Sequence, residues 1–210
     1  KKLDEQNIES RFIMGLRVTD EKMINIVESV MIEFNKVIVD SLEKKSCKAK
    51  SITIKKNNII YVEPENKELG YVGKPKRVDA KLLKEIIKED FIPVIVPMGL
   101  DEKGIAYNIN ADTAAGAIAR SIKSRRLMLL TDIDGVLDNN EKLISEINTT
   151  QAKELIDSET IHGGMIPKVK TCIDAINNGV RAVVILDGRK PHSVLFELFS
   201  DKGAGTLIRK

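Results

Sequence analysis

Two carboxamides and a carboxylate, Asn108, Asn110 and Asp112, lie between an apolar run and the start of a helix rich in small residues. The apolar run, 92–96, predicts a buried strand, and Thr113–Arg120 predicts the helix. In an open α/β sheet, ligands bind where a strand ends and a helix begins. The same residue types also suit a turn in which Asp112 caps the helix. This stretch therefore predicts either a binding loop or a capped turn.

A second group of carboxylates follows the predicted parallel strand 126–131, at Asp132, Asp134 and Asp138. Taken alone, it resembles the nucleophile loop of haloacid-dehalogenase-type phosphatases, which work with a magnesium ion. That class also needs a later lysine, for which Lys168 could stand, and a further acidic pair. The segment 186–189 offers one aspartate instead of a pair, and the motif lies late in the chain. We therefore treat the phosphatase as a minor alternative.

A third candidate is the glycine pair Gly163 and Gly164, which opens a predicted helix that contains Lys168. Backbone donors at such a turn suit a phosphate, and phosphoryl transfer needs positive charge held in place beforehand. Asp112 could hold lysines in position. Arg17 is either a surface charge or a fork for a substrate carboxylate. A plain helix start with a solvated lysine is the structural alternative for Lys168.

The elements that must position these residues follow from the spacing of apolar residues. Thr19 is the predicted N-cap of a long amphipathic helix that ends near Lys44. The runs 51–55 and 58–62 predict a β-hairpin around Lys56 and Asn57, either a mobile flap or a plain edge hairpin. Asp79 is predicted to cap a helix over residues 80–89.

The second half of the chain alternates strands and helices. Strands are predicted at 126–131 and 182–186 and after Gly205, and helices start at Thr149 or Thr150, after Gly164 and at His192. Such alternation favours a mainly parallel α/β sheet. The sequence shows no clear linker between domains.

Composition limits the classes of function. The 210 residues include 34 Lys and Arg against 31 Asp and Glu, so the net charge of +3 does not favour nucleic-acid binding. Two cysteines without ligand spacing predict neither a metal site nor a disulfide framework, and they favour a reducing compartment, the cytoplasm. No apolar run approaches 18 residues, so no membrane span is expected.

Taken together and in order, the motifs resemble those of the N-acetylglutamate kinases, members of the amino acid kinase family. The motifs that carry the resemblance are Gly15–Thr19, Leu69–Gly73, Asn108–Asp112, Leu130–Val136, Gly163–Lys168, Asp187–Arg189, His192–Ser193, Glu197–Phe199 and Gly203–Thr206. They extend over essentially the whole chain. Each is modest alone, whereas the ordered set is specific.

The resemblance implies an α/β fold of the amino acid kinase, carbamate kinase-like type, an αβα sandwich around a mainly parallel central sheet. A β-hairpin lid would end near Phe12–Leu16. Residues 1–98 would be the remainder of an N-terminal lobe for substrate binding and dimerisation, and residues 99–210 the C-terminal nucleotide-binding lobe.

The implied reaction is ATP-dependent phosphorylation of the side-chain carboxylate of N-acetyl-L-glutamate to N-acetyl-L-glutamyl 5-phosphate, in arginine biosynthesis. Mg²⁺ would be carried on the phosphates of ATP, with no metal bound by the protein. Two alternatives stay open: another kinase of the amino acid kinase family, and a non-catalytic fragment that binds arginine or assembles into oligomers.

The resemblance also assigns residues by position. Asp112 would organise the catalytic lysines, and Lys168 would stabilise the transferring phosphoryl group. Arg17, Asn108 and Asn110 would contact the substrate. Contacts to the nucleotide would come from Asp132, Ile133, Asp134, Gly135, Val136, Leu137, Thr160, Ile161 and His162. An arginine inhibitor would lie near Glu197, Gly203 and Gly205.

One departure concerns the family's N-terminal strand, which carries a lysine and is followed by glycine-rich loops. These features are absent from the sequence, so we expect about 50 or more further residues upstream in the full protein. The second lysine that Asp112 would hold is among them. The resemblance further implies a homo-oligomer, a dimer or a hexamer built as a trimer of dimers, with arginine as a feedback inhibitor.

Overall fold

The computed structural model describes residues 10–13 and 16–210. They form two compact units, one ending at Ser121 and the other spanning Ile122–Lys210. The chain thus divides where the sequence shows no linker signal.

The first unit combines short strands with three helices. Its strands are β1 (Phe12–Ile13), β2 (Leu16–Arg17), β3 (Ala49–Ile52), β4 (Ile60–Pro64), β5 (Gly73–Val78), β6 (Ile92–Ile95), β7 (Met98–Leu100) and β8 (Ala106–Asn108). Its helices are α1 (Glu21–Glu43), α2 (Ala80–Lys88) and α3 (Ala111–Ser121). Three sheets result, with strand orders β1-β2, β3-β6 and β5-β4-β7-β8.

Asn35 of α1 ties the two parallel strands β3 and β6 to the helix. Its amide Nδ2 donates to the carbonyl of Val94 at 2.8 Å, and its Oδ1 accepts from the hydroxyl of Ser51 at 2.6 Å. Both bonds are made by a side chain that is buried. Because a buried amide must be satisfied, this residue fixes the helix against both strands.

The predicted hairpin over 51–62 is wrong. A tight turn does follow β3, since Thr53 and Lys56 exchange backbone hydrogen bonds of 2.8 and 3.1 Å. However, β3 pairs in parallel with β6, and β4 forms its hairpin with β5. The turn residues were recognised from local chemistry, whereas strand partners depend on which apolar faces are buried together.

Of the two N-caps predicted for the first unit, the structure confirms one and corrects the other. Asp79 caps α2 as predicted, accepting from the N–H of Leu82 at 3.0 Å. The cap of α1 is Asp20 rather than Thr19, because the Asp20 carboxylate accepts from the N–H of Met23 at 2.8 Å. Thr19 is fully buried and its hydroxyl donates to the carbonyl of Arg17.

The second unit is a four-stranded sheet with three helices. Its elements are β9 (Arg126–Thr131), β10 (Glu146–Asn148), α4 (Thr149–Asp157), α5 (Met165–Asn177), β11 (Ala182–Asp187), α6 (Ser193–Phe199) and β12 (Gly205–Arg209). The strand order is β10-β12-β11-β9. The pairs β9–β11 and β10–β12 are parallel, and β11–β12 is antiparallel.

Strand β11 forms the centre of this unit's core. Residues Val183–Leu186 are fully buried, and α5 packs beside them with Val169, Cys172 and Ile176. The predicted helix and strand spans agree with the structure here. The expected burial of β9 is only half right, because Leu130 is 52% exposed and β9 lies at the edge of the sheet.

Candidate active site

Three of the motifs recognised in the sequence are joined by backbone hydrogen bonds in the first unit. The N–H of Thr19 donates to the carbonyl of Leu69 at 3.0 Å, and the N–H of Tyr71 donates to the carbonyl of Thr19 at 2.7 Å. The N–H of Asn108 donates to the carbonyl of Tyr71 at 2.9 Å. The segment around Tyr71 therefore links the Arg17 motif to the Asn108 motif.

Gly70 allows its own segment to approach the backbone of Thr19 closely. Its φ is +67°, and a Cβ there would lie 2.4 Å from the carbonyl oxygen of Thr19. Any other residue would be strained and would push the two segments apart.

Arg17 lies on β2, in the small antiparallel pair with β1, and it is half-buried. Its guanidinium lies 4.6 Å from the centre of the Phe12 ring, and Nη1 donates to the hydroxyl of Ser10. The face of the Phe12 ring and the hydroxyl of Ser10 therefore hold the guanidinium in place. This pair is where the lid hairpin was predicted to end; Gly15 lies outside the described residues.

The structure separates the roles of Asn110 and Asp112. Asn110 caps α3, because its Oδ1 accepts from the N–H and the hydroxyl of Thr113 at 3.1 and 3.3 Å. The capped-turn interpretation is thus right for the turn but not for Asp112, which lies within the first helical turn and is half-buried. Asn108 ends β8, also half-buried.

The second unit contains a cleft of about 560 Å³. It lies at the end of β9 and the start of α5, and it includes eight of the nine predicted nucleotide contacts together with Lys168. The cleft is lined by Thr131, Asp132, Ile133, Gly135, Val136, Leu137, Asp138, Glu141, Thr160, Ile161, His162, Gly163, Gly164, Met165 and Lys168.

The start of α5 contributes two glycines and a lysine to the cleft. Gly164 is the N-cap and makes no side-chain cap hydrogen bond. A Cβ on Gly163 or Gly164 would meet no atom within 4 Å, so packing does not demand either glycine, although Gly163 has a φ of +56°. Lys168 lies one turn further along, half-buried. The N–H groups of Met165 and Ile166 already donate to the carbonyls of His162 and Gly163 at 3.2 and 3.3 Å. Because Pro167 has no N–H, the charge that this turn offers an anion comes mainly from Lys168.

A short hairpin forms one wall of the cleft. The N–H of Ile144 donates to the carbonyl of Val136 at 2.9 Å, and Leu137 pairs with Leu143. Thr206 of β12 binds both arms: its hydroxyl accepts from the N–H of Val136 at 2.8 Å and donates to the carbonyl of Ile144 at 2.7 Å. From the sequence, Thr206 is predicted only as a member of the motif Gly203–Thr206.

Asp134 does not line the cleft but forms an ion pair with Lys190, with Oδ1 and Nζ 2.7 Å apart. Beside it, Arg189 donates to the buried carboxylate of Asp187 through its backbone N–H, Nε and Nη2, at 2.8, 3.0 and 2.9 Å. The side-chain hydrogen bonds from Arg189 are the main reason that the pKa of Asp187 falls to about 2. The same pairing raises the pKa of Arg189, with smaller contributions from Asp132 and Asp134. The ion pair of Lys190 with Asp134 joins the loop after β11 to the loop after β9.

The three residues predicted near an inhibitor come together at the turn before β12. The Glu197 carboxylate is buried, accepts from the N–H of Ala204 at 2.8 Å, and lies 3.5 Å from Nη1 of Arg126. A Cβ on Gly203 would lie 2.8 Å from Glu197 Oε2. A Cβ on Gly205 would lie 2.0 Å from the carbonyl oxygen of Ile185, so Gly205 is required by packing.

Over 10–13 and 16–210, no group of three or more His, Cys, Asp or Glu side chains is placed to hold a metal ion. In the same ranges, no helix has the length and apolar character needed to cross a bilayer.

The geometry can be compared with known proteins. Residues 1–187 match the family model described as the amino acid kinase family. The chain is 61% identical to the acetylglutamate kinase of Pelagibacter ubique, over all of this chain and 73% of that protein. It is 46% identical to the acetylglutamate kinase of Methylobacterium nodulans, over 99% of this chain and 73% of that protein.

A solved structure of N-acetylglutamate synthase from Neisseria gonorrhoeae, complexed with coenzyme A and N-acetyl-glutamate, has the same fold. Its TM-score is 0.87 at 25% identity, covering 99% of this chain and 48% of that one. The chain belongs to the amino acid kinase family, in the branch formed by the acetylglutamate kinases. The predicted α/β fold and kinase class are thereby confirmed.

Proposed function

We propose that this protein transfers the γ-phosphoryl group of ATP to the side-chain carboxylate of N-acetyl-L-glutamate, in arginine biosynthesis and in the cytoplasm. The observation that carries the proposal is the cleft that Gly163, Gly164 and Lys168 line together with the predicted nucleotide residues. The 61% identity to an acetylglutamate kinase supports the choice of substrate.

In the proposed reaction a carboxylate oxygen of the substrate attacks the γ-phosphorus. The bond from that phosphorus to the β,γ-bridging oxygen breaks, which yields an acyl phosphate and ADP. Lys168 stabilises the negative charge on the transferring group and on the leaving oxygen. Mg²⁺ on the ATP phosphates would neutralise further charge. Asp112 acts through the lysines that it positions, without attacking the substrate.

The first unit is proposed to bind N-acetyl-L-glutamate. Arg17 would bind a carboxylate of the substrate, and the Asn108 amide would hydrogen-bond it nearby, with Asn110 fixing the loop. The backbone links through Tyr71 support this role because they hold Arg17 and Asn108 on adjoining segments. The proposal also assigns substrate binding and dimerisation to residues 1–98 and nucleotide binding to residues 99–210.

The substrate assignment is tested by measuring ADP formation with the full-length protein and three acceptors. N-acetyl-L-glutamate should support turnover, whereas L-glutamate and L-aspartate should give rates at least about 100-fold lower. Equal or higher rates with either unacetylated acid would contradict the substrate proposed here. The ATP-only reaction serves as the blank.

The substitution Gly164→Ala tests ATP binding at the start of α5 without destabilising the fold. An added Cβ meets no protein atom, so we expect the free energy of unfolding to stay within about 1 kcal/mol of wild type. If a nucleotide phosphate lies against the start of α5, the methyl group should weaken ATP binding at least about tenfold. Calorimetric titration with ATP and thermal unfolding provide the two measurements. Unchanged affinity would contradict this placement of the phosphates.

Two further proposals concern assembly and regulation. Phe34 and Val37 of α1 are 61% and 54% exposed, an apolar surface that favours a homo-oligomer, a dimer or a trimer of dimers. Sedimentation velocity of the full-length protein tests it.

Arginine is proposed as an inhibitor at Glu197 and Gly203, where a buried carboxylate adjoins a turn. A melting temperature unchanged by L-arginine would oppose that site.

A further inference from the structure

We infer that Thr206 is a positioning residue for the nucleotide cleft, holding the wall formed by residues 136–144 in the geometry that receives ATP. Thr206 lies on β12, outside the cleft lining, and is fully buried. The inference rests on the proposed function, because the cleft is assigned to ATP on that basis.

The chain path explains why the wall needs such a clamp. After β9 the chain leaves the edge of the sheet and reaches β12, two strands away, at Val136. No ladder pairs Val136 with β12. The hydroxyl of Thr206 holds the first arm instead, through the N–H of Val136. It also binds the carbonyl of Ile144 on the second arm, which the N–H of Leu207 holds as well, at the carbonyl of Ser145, 2.9 Å away.

The fit around the hydroxyl is tight. A Cβ on Gly135 would lie 2.5 Å from Thr206 Oγ1, and Gly135 has a φ of +152°. Its neighbours Val136 and Leu137 line the cleft. A shift of the hydroxyl would therefore be transmitted directly to residues that face the nucleotide.

Valine has nearly the shape of threonine but leaves both backbone groups without their partner. Because buried polar groups need partners, the hairpin would have to move to find water. Thr206→Val should loosen the wall, whereas Thr206→Ser keeps the hydroxyl and should restore it. Thr53→Val is the matched control: Thr53 is also buried, and its hydroxyl accepts from the N–H of Lys56 in the other unit.

The experiment uses the full-length protein and two independent readouts. Hydrogen exchange of amides 133–145 should accelerate at least about tenfold in Thr206→Val and stay within about twofold in Thr206→Ser and Thr53→Val. The KM for ATP should rise at least about tenfold, equal to about 1.4 kcal/mol, while the KM for N-acetyl-L-glutamate changes less than about twofold.

Exchange and KM values that are unchanged in Thr206→Val would overturn the inference. So would a Thr206→Ser variant as impaired as Thr206→Val, since the hydroxyl would then not be the active feature. If wild type fails to bind ATP, the proposed function is wrong, and hydrogen exchange still measures whether Thr206 holds the hairpin.

Discussion

Replacing Lys168 by alanine is expected to lower kcat by roughly 100- to 1000-fold, which corresponds to about 3–4 kcal/mol of lost charge stabilisation. The side chain lies in the proposed ATP cleft, one helical turn after Gly164. Negative charge develops on the leaving β,γ-bridging oxygen in the transition state, so the loss should fall mainly on kcat. The measurement is steady-state ADP release with N-acetyl-L-glutamate by the full-length enzyme.

Lys170→Ala is the matched control for this experiment. Lys170 has the same charge and lies on the same helix, but it is exposed and outside the cleft. We expect its kcat within about twofold of wild type. A loss below tenfold for Lys168→Ala, about 1.4 kcal/mol, would contradict a role for Lys168 in the chemistry. Equal losses in both variants would indicate a general effect of charge or folding.

Gly205→Ala should destabilise the fold by about 3 kcal/mol, the upper end of the usual cost of overpacking. The added Cβ would lie 2.0 Å from the Ile185 carbonyl oxygen and 2.9 Å from the Leu186 Cα. Both atoms belong to the backbone of the central strand β11, so no side chain can rotate away. The expected fall in melting temperature is about 6–12 °C.

Thermal and urea unfolding of Gly205→Ala and Gly164→Ala would test this contrast directly. The two substitutions add the same methyl group, one against backbone and one into open space. A Gly205→Ala variant as stable as Gly164→Ala would show that β11 and β12 can separate at no cost. A destabilised Gly205→Ala protein would explain any loss of arginine response without a direct contact to arginine.

Local chemistry predicted much of the fold. Asp79 caps α2, Gly164 opens α5, and Val183–Leu186 are fully buried, because each depends on residues within one turn or one strand. The predictions that failed depended on distant partners. The pairing of β3 with β6 joins segments about 40 residues apart, and no turn signal at Lys56 and Asn57 encodes it.

In the candidate site, too, residues within a motif were predicted, whereas contacts between distant segments were not. Cleft residues such as Asp132 and His162 were predicted from motif order, whereas the hydroxyl of Thr206 was overlooked. A threonine in a strand carries no sign of what its hydroxyl binds, and its partner Val136 is 70 residues away. The ion pair of Asp134 with Lys190 depends likewise on two loops meeting.

The place of β12 in its sheet bears on how the protein is made. This strand comes after the others of its sheet in the chain, yet it lies between β10 and β11. During translation the cleft hairpin leaves the ribosome some 70 residues before Thr206 does. The second unit therefore cannot complete its core while it is growing, and the cleft wall over residues 136–144 takes its final form only when β12 has emerged.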